Sequence, residues 1–303
     1  MIQTLRIGTR GSPLALAQAR MVATALRDAH GWGPERIEIM PITTSGDMIR
    51  DRPLAEMGGK ALWTKELDRA LAEGLTDISV HSMKDVETLR PPILAIAAML
   101  PRADVRDRLI GADSIEALPA GARVGTSSPR RTAQLLARRP DLAIVPFRGN
   151  VETRLRRIQL GEADATLLAA AGLERLGHRE GVVLDDLLPA PSQGAIGVEI
   201  RADDRKARIL IQAIDHRPTH ICVNAERRLL ERLGGSCRSA VAALAQMDRG
   251  RIRLQAEILS PDGREIQAGE LVYTVAKEED RPAELAAELL GRASLGLRAS
   301  FAG

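Results

Sequence analysis

Aromatic side chains are almost missing from this chain of 303 residues: two phenylalanines, two tryptophans and one tyrosine make up 2% of it. Proteins that bind single-stranded nucleic acid stack its bases on aromatic rings, so no nucleic-acid partner is expected. Cysteine is nearly as scarce. Cys222 and Cys237 cannot build a disulfide framework, no C-x-x-C spacing occurs, and no metal site is expected. That usage suits a reducing compartment, so the expected location is the cytoplasm. Long apolar runs are also lacking. The longest, Ile93 to Leu100, falls far short of the ~20 residues that span a bilayer. The amino terminus goes straight into a strand-like Leu5-Arg-Ile-Gly8, without the apolar core of a secretory signal. No membrane partner is expected. The phosphate-binding pattern G-x-x-x-x-G-K-[ST] does not occur, which argues against a nucleotide. Lysine is scarce too: of 43 basic residues, five are lysine and 38 arginine, in a chain of net charge +3. Arginine grips carboxylates and phosphates through a planar two-pronged fork, so the expected partner is a small anionic molecule.

What remains is an ordinary soluble composition, 45% apolar and 27% charged, and a length that suits two or three domains. The stretch Asp77-Ile-Ser-Val-His-Ser-Met-Lys-Asp85 reads as a short buried strand that stops and delivers His81, Ser82, Lys84 and Asp85 beyond its end. In open α/β sheets, ligands bind there. Before it come a strand at Leu5–Gly8, a Thr9-Arg-Gly11 loop, and a helix from Leu14 to His30 started by Ser12-Pro13. A strand at Ile37–Ile42 and a helix from about Trp63 to Glu73 follow. The segment Pro101–Arg108 reads as a crossing between domains. Val124-Gly-Thr-Ser-Ser-Pro129 then repeats the grammar of Ile7-Gly-Thr-Arg-Gly-Ser-Pro13, and Leu160-Gly-Glu-Ala-Asp164 echoes the approach to Ile78. Two echoes in the same order predict two similar α/β lobes.

The apolar Ala195–Ile200 is expected to return to the first lobe, making two crossings, a hinge and a cleft, as in two-lobed periplasmic binding proteins. The fold class is therefore α/β, with periplasmic-binding-protein-like lobes at 1–100 plus 194–216 and at 101–193. From 217 the pattern changes to an amphipathic helix, a Gly234-Gly-Ser-Cys237 loop, three alternating strands and a final helix from about Pro282. That predicts a small α+β domain over 217–303.

Three constellations carry chemistry. Thr126-Ser-Ser-Pro-Arg-Arg131 places backbone N–H groups, hydroxyls and two arginines at a helix start. Cations do not suit the positive end of a helix, and an incoming anion would resolve that conflict. Arg148 and Arg154 lie at the next helix start, and Arg10 and Lys60 on matching loops of the first lobe. Arg138 and Arg139, at the far end of the Arg131 helix, are expected to be ordinary surface residues. The second constellation is Asp85 with Lys84 and His81, where a carboxylate held ionised by a cation can trade a proton or steady a positive charge. The third is Cys237, in a glycine loop where backbone approaches a ligand closely, whereas Cys222 lies on an apolar helix face and reads as core. These residues alone leave open an enzyme and a non-catalytic anion-binding protein.

With those motifs in view, the chain resembles the porphobilinogen deaminase family from Arg6 to about Ser300. The resemblance rests on Ile7-Gly-Thr-Arg-Gly-Ser-Pro-Leu14, Gly58-Gly-Lys60, Val80-His-Ser-Met-Lys-Asp-Val86, Gly125-Thr-Ser-Ser128 with Arg130-Arg131, Arg148-Gly-Asn-Val151 with Thr153-Arg154, and Gly235-Ser-Cys237. It implies a transferase that joins four porphobilinogen molecules head to tail, releasing ammonia each time, and then frees the linear tetrapyrrole hydroxymethylbilane. It implies a dipyrromethane primer held as a thioether on Cys237, and Asp85, with Lys84, as the catalytic group. Ser12, Lys84, Asp85, Thr126, Ser127, Ser128, Arg130, Arg131 and Arg148 would hold the primer. Arg10, Lys60, Trp63, Arg148, Arg154 and Arg175 would hold substrate, and the protein would act as a monomer. Trp63 stands where phenylalanine is common, Glu87 and Ala240 where proline is, and Ser192 where Gly-Gln-Gly is usual.

Overall fold

In the computed structural model, which describes residues 4–44, 61–235, 239–275 and 281–301, the first sheet forms around β1 (Leu5–Arg10). Ser12-Pro13 then start α1 (Pro13–His30). The Ser12 hydroxyl accepts the Ala15 N–H at 3.3 Å, and proline occupies a position where its missing N–H loses nothing. Ala19, Val22, Ala23 and Leu26 recur at helical spacing, and that face of α1 is buried against the sheet. β2 (Ile37–Ile42) runs parallel to β1, from Leu5 opposite Ile37 to Arg10 opposite Ile42. After α2 (Ala61–Ala72), β3 (Ile78–Ser82) pairs in parallel with the other side of β1. β4 (Leu94–Met99) completes the first pass.

The crossing that follows is shorter than the sequence suggests, because β5 (Asp107–Ile110) already begins at Asp107. Next come β6 (Arg123–Gly125), α3 (Pro129–Arg138), β7 (Ala143–Val145), α4 (Val151–Gln159), β8 (Ala165–Ala169), α5 (Ala170–Arg175) and β9 (Val182–Leu184). They build a second sheet of order β7-β6-β8-β5-β9. β10 (Ile196–Arg201) then enters the first sheet between β3 and β4, antiparallel to both, to give β2-β1-β3-β10-β4. The two sheets share one plan. A central strand has parallel partners on both sides, followed by an antiparallel strand that lies beyond a crossing in sequence. The repeated Gly-Thr loops are the ends of the two central strands.

α6 (Arg205–Gln212) covers part of the first sheet with Ala207 and Ile211. The rest of the chain is α7 (Arg217–Arg232), the antiparallel meander β11 (Ala240–Asp248), β12 (Arg251–Leu259) and β13 (Ile266–Thr274), then α8 (Arg281–Arg292) and α9 (Leu295–Ala299). Leu229, Leu254, Ile258, Leu285 and Leu289 centre its own apolar core, which also takes in Cys222. The chain divides into two compact units, Met1–Ala103 with Gly194–His220, and Asp104–Gln193 with Ile221–Gly303. Within the second unit, Ala133 of α3 packs against Ala240 and Leu259, and Gln134 donates to Glu257 at 3.0 Å. Ser192 takes the left-handed backbone region that glycine favours, at φ 66°, and donates its N–H to the buried Glu226 carboxylate at 2.6 Å. Among the described residues no helix is long and apolar enough to cross a membrane.

Candidate active site

In the first unit, β1 lies between β2 and β3 and runs parallel to both, and ligands of open α/β sheets bind outside the carboxyl ends of such strands. Arg10 is the last residue of β1 and Ser12 caps α1. β3 ends in the turn Met83–Asp85. Two buried anchors, Met83 and Val86, hold that turn, and Met83 takes the Ala195 carbonyl through its N–H at 3.1 Å. Gly197 on β10 makes this possible, since a Cβ there would lie 2.1 Å from the Met83 sulfur. Lys84 and Asp85 are left half-buried between the anchors. Asp85, Arg10, Ser12, His81 and Ser82 line one solvent-open pocket, with Gln18 donating to the Ser82 hydroxyl at 2.7 Å on its wall.

Behind this pocket lies a buried ionic chain that sequence reading did not find. His81 Nε2 meets Glu199 Oε2 at 3.0 Å, and Arg90 grips the same carboxylate with Nε at 2.8 Å and Nη2 at 3.0 Å. Arg90 also pairs with Asp68. Burial alone would raise the Glu199 carboxyl, but the contacts from His81 and Arg90 bring it down to about 2. Burial, and then Glu199, push Asp68 up against the opposing pull of Arg90. The available signal was a lone glutamate inside the apolar run Ala195–Ile200.

The second unit repeats the strand end with different chemistry. A Cβ at Gly125 would lie 2.4 Å from the Phe147 ring, so glycine is required under that ring. Thr126 is buried and its hydroxyl accepts the Ser128 N–H at 3.2 Å. Ser127 donates to the Phe147 carbonyl at 2.9 Å, and Ser128 caps α3. Arg130 and Arg131 turn inward. Arg131 places Nη2 2.7 Å and Nε 3.1 Å from the Asp107 carboxylate, and Arg130 adds a third contact at 2.8 Å. Gln193 adds a fourth at 2.9 Å. The anion that this helix start calls for thus comes from the chain itself, at the beginning of β5. Burial would raise the Asp107 carboxyl, yet the two guanidinium charges hold it well below the carboxylate range. Burial pushes Arg130 down, and its Nε is buried without an acceptor. Two guanidiniums against Asp107 leave one cation over, and the next acid is Glu257 of β12, which accepts from Gln134.

Asp107→Asn would leave two buried guanidiniums facing a neutral group and should destabilise the protein by about 3–5 kcal/mol, read as a lower denaturant midpoint. The pH dependence follows from the same contacts. An unfolded aspartate titrates near ~4, and the folded carboxyl titrates lower. The stabilisation is therefore complete above that pH and declines as pH falls below it, and Asp107→Asn should flatten this acid limb.

Arg148 is half-buried in the turn before α4, and Arg154 in that helix donates Nε to the Gly149 carbonyl at 3.1 Å. Arg175 ends α5, where burial pushes its guanidinium down to about 10. Arg139 departs from the surface role expected of it. It donates to the carbonyls of Ile115, Glu116, Leu118 and Pro119 and to Asp141, so it organises a loop, while Arg138 pairs with Asp186. Lys60 and Cys237 lie outside the described residues, as does the Trp63 side chain on α2. The ends flanking Cys237 are fixed: Gly235 donates to the Leu230 carbonyl at 3.0 Å, and the Ser239 hydroxyl to the Ser300 carbonyl at 3.1 Å.

Comparison with known proteins bears directly on these features. The dipyromethane cofactor binding domain of porphobilinogen deaminase matches residues 5–209, and the C-terminal domain of the same family matches residues 220–291. The chain is similar to the porphobilinogen deaminase of Sphingopyxis alaskensis, 57% identical over 98% of this chain and 96% of that one. It is also similar to that of Paracoccus denitrificans, 51% identical over 95% and 94%. Among solved structures, an ancestral cationic amino acid solute binding protein is similar over 76% of this chain and 91% of that one. At 19% identity and a TM-score of 0.44 it is too loose a likeness to add to the topology above. The two family matches span both sheets and the C-terminal meander, and on that evidence the chain belongs to the porphobilinogen deaminase family.

Proposed function

We propose that Asp85 is the acid/base and electrostatic catalyst in the condensation of porphobilinogen to hydroxymethylbilane, acting in the pocket at the ends of β1 and β3. The observation that carries this reading is a carboxylate held at a strand end by two buried anchors, in one pocket with Arg10 and Ser12. Porphobilinogen brings an ammonium leaving group and two carboxylates. When its C–N bond breaks, the electron pair leaves with ammonia and positive charge spreads over the pyrrole and its methylene. A fixed carboxylate stabilises that charge as it develops. The attacking pyrrole carbon then forms the new C–C bond, and Asp85 accepts the proton that this carbon loses. Arg10, Lys60 and Trp63 hold and orient substrate in the same reading, while Lys84 acts with Asp85 and on the primer.

The second unit fits a primer bearing carboxylates. Arg130 keeps a buried Nε without an acceptor, and Arg175 is a guanidinium weakened by burial. Both gain from an incoming carboxylate. Bound to Cys237, a dipyrromethane supplies the carbon to which the first substrate is joined. Ser12, Thr126, Ser127, Ser128, Arg130, Arg131 and Arg148 are assigned to it, and Arg148, Arg154 and Arg175 to the carboxylates of added pyrroles. Residues 217–303, with their own sheet and core, are read as a third domain beside lobes at 1–100 with 194–216 and at 101–193. The working form is a cytoplasmic monomer.

The test is turnover of porphobilinogen by the purified protein, with tetrapyrrole and ammonia both measured. Removing one two-pronged arginine–carboxylate contact should weaken binding by about 10- to 150-fold. Arg148→Ala and Arg175→Ala should show this in KM or in accumulated intermediates, and the lysine variants should recover only part of it. Arg138→Lys, on the surface pair with Asp186, is the control. Equal behaviour of all these variants would remove the assignment.

A further inference from the structure

Glu199 is fully buried in mid-sheet, opposite Ser79 on β3 and Ile96 on β4. A carboxylate there is tolerated only when compensated, and the two prongs of Arg90 already do that. His81 is thus additional, and it differs from the rest of the ionic chain in lining the Asp85 pocket. Glu199 accepts, so Nε2 must carry the proton of the 3.0 Å contact. In the neutral ring that leaves Nδ1, for which no hydrogen bond is found among the described residues, as the nitrogen able to accept from a ligand. The charged groups around the ring are Glu199, Arg90, Asp68 and Glu87 behind it, and Asp85 and Arg10 in the pocket.

We infer that His81 receives the aminomethyl ammonium of porphobilinogen on Nδ1, and that Glu199, gripped by Arg90, is the positioning residue that fixes the ring with its proton on Nε2. The inference rests on the reading of the Asp85 pocket as the reaction site. It gives that pocket a means of choosing an amine leaving group: a positive N–H donor is held beside Asp85, where departing ammonia leaves positive charge behind. A merely structural His81–Glu199 pair would show no such preference.

The test compares porphobilinogen with the analogue that carries hydroxymethyl in place of aminomethyl. His81→Phe keeps the ring shape without nitrogen. Glu199→Gln keeps the acid's shape, but its amide can donate to Nε2 and move the imidazole proton to Nδ1. Both variants, checked for native melting and for primer loading by intact mass, should lower kcat/KM for porphobilinogen relative to the hydroxymethyl analogue by about 10- to 150-fold, as expected for loss of one charged hydrogen bond. Their kcat on the hydroxymethyl analogue should stay within a few-fold of the parent protein. Equal losses on both substrates, in variants that fold and carry primer, would overturn the inference and leave the Asp85 reading standing. Absence of porphobilinogen turnover by the parent protein would overturn both.

Discussion

Asp85→Asn is expected to lower kcat by about 10²- to 10⁴-fold while changing KM far less. In the ground state the positive charge sits on the ammonium, which has its own partner in His81. Once ammonia has departed the charge lies on the pyrrole and its methylene, so the contribution of Asp85 belongs mainly to the transition state. Asparagine keeps the size and one acceptor oxygen but neither neutralises that charge nor takes the proton released at the attacking carbon. The turn itself should survive, because Met83 and Val86 hold it from below and neither depends on the Asp85 side chain. Steady-state kinetics on a variant with an unchanged melt would show the split. Normal turnover by folded Asp85→Asn would reduce Lys84-Asp85 to a surface pair of little energetic consequence.

Local chemistry made part of this molecule readable in advance. Ser12-Pro13 and Ser128-Pro129 start α1 and α3 as their capping signals require, because a cap depends only on residues within one turn. The strand that stops before Lys84-Asp85 was also legible, since a buried apolar run followed by polar residues marks its own end. What could not be read depended on partners far away in sequence. Arg130 and Arg131 are 23 and 24 residues from Asp107, and only the placement of β5 beside β8 brings them together. Glu199 looked like one polar position in an apolar strand, and its partners His81 and Arg90 are 118 and 109 residues away. α6 did have a local signal in Asp204, whose side chain caps it through Ala207 N–H at 2.9 Å. Only two buried residues along that helix made its period faint.

Cys237→Ala should abolish turnover, since no other thiol is placed to replace it. Cys222 lies 5% exposed in the apolar core around α7, where a thiol behaves as a small hydrophobe. Cys222→Ala should therefore keep primer and activity and lose a little stability. The described residues on either side of Cys237 are anchored, Gly235 on Leu230 and Ser239 on Ser300, and β11 begins at Ala240, which packs on Ala133 of α3. That packing ties Ala240 to the helix whose start carries Ser128, Arg130 and Arg131, the groups assigned to the primer. The most direct measurement is intact mass, before and after brief exposure to porphobilinogen. The parent protein and Cys222→Ala should exceed their sequence masses by one dipyrromethane and then show a ladder of added pyrroles, while Cys237→Ala should stay at its sequence mass throughout. Tetrapyrrole made by an unmodified chain, or an adduct that survives Cys237→Ala, would contradict the account.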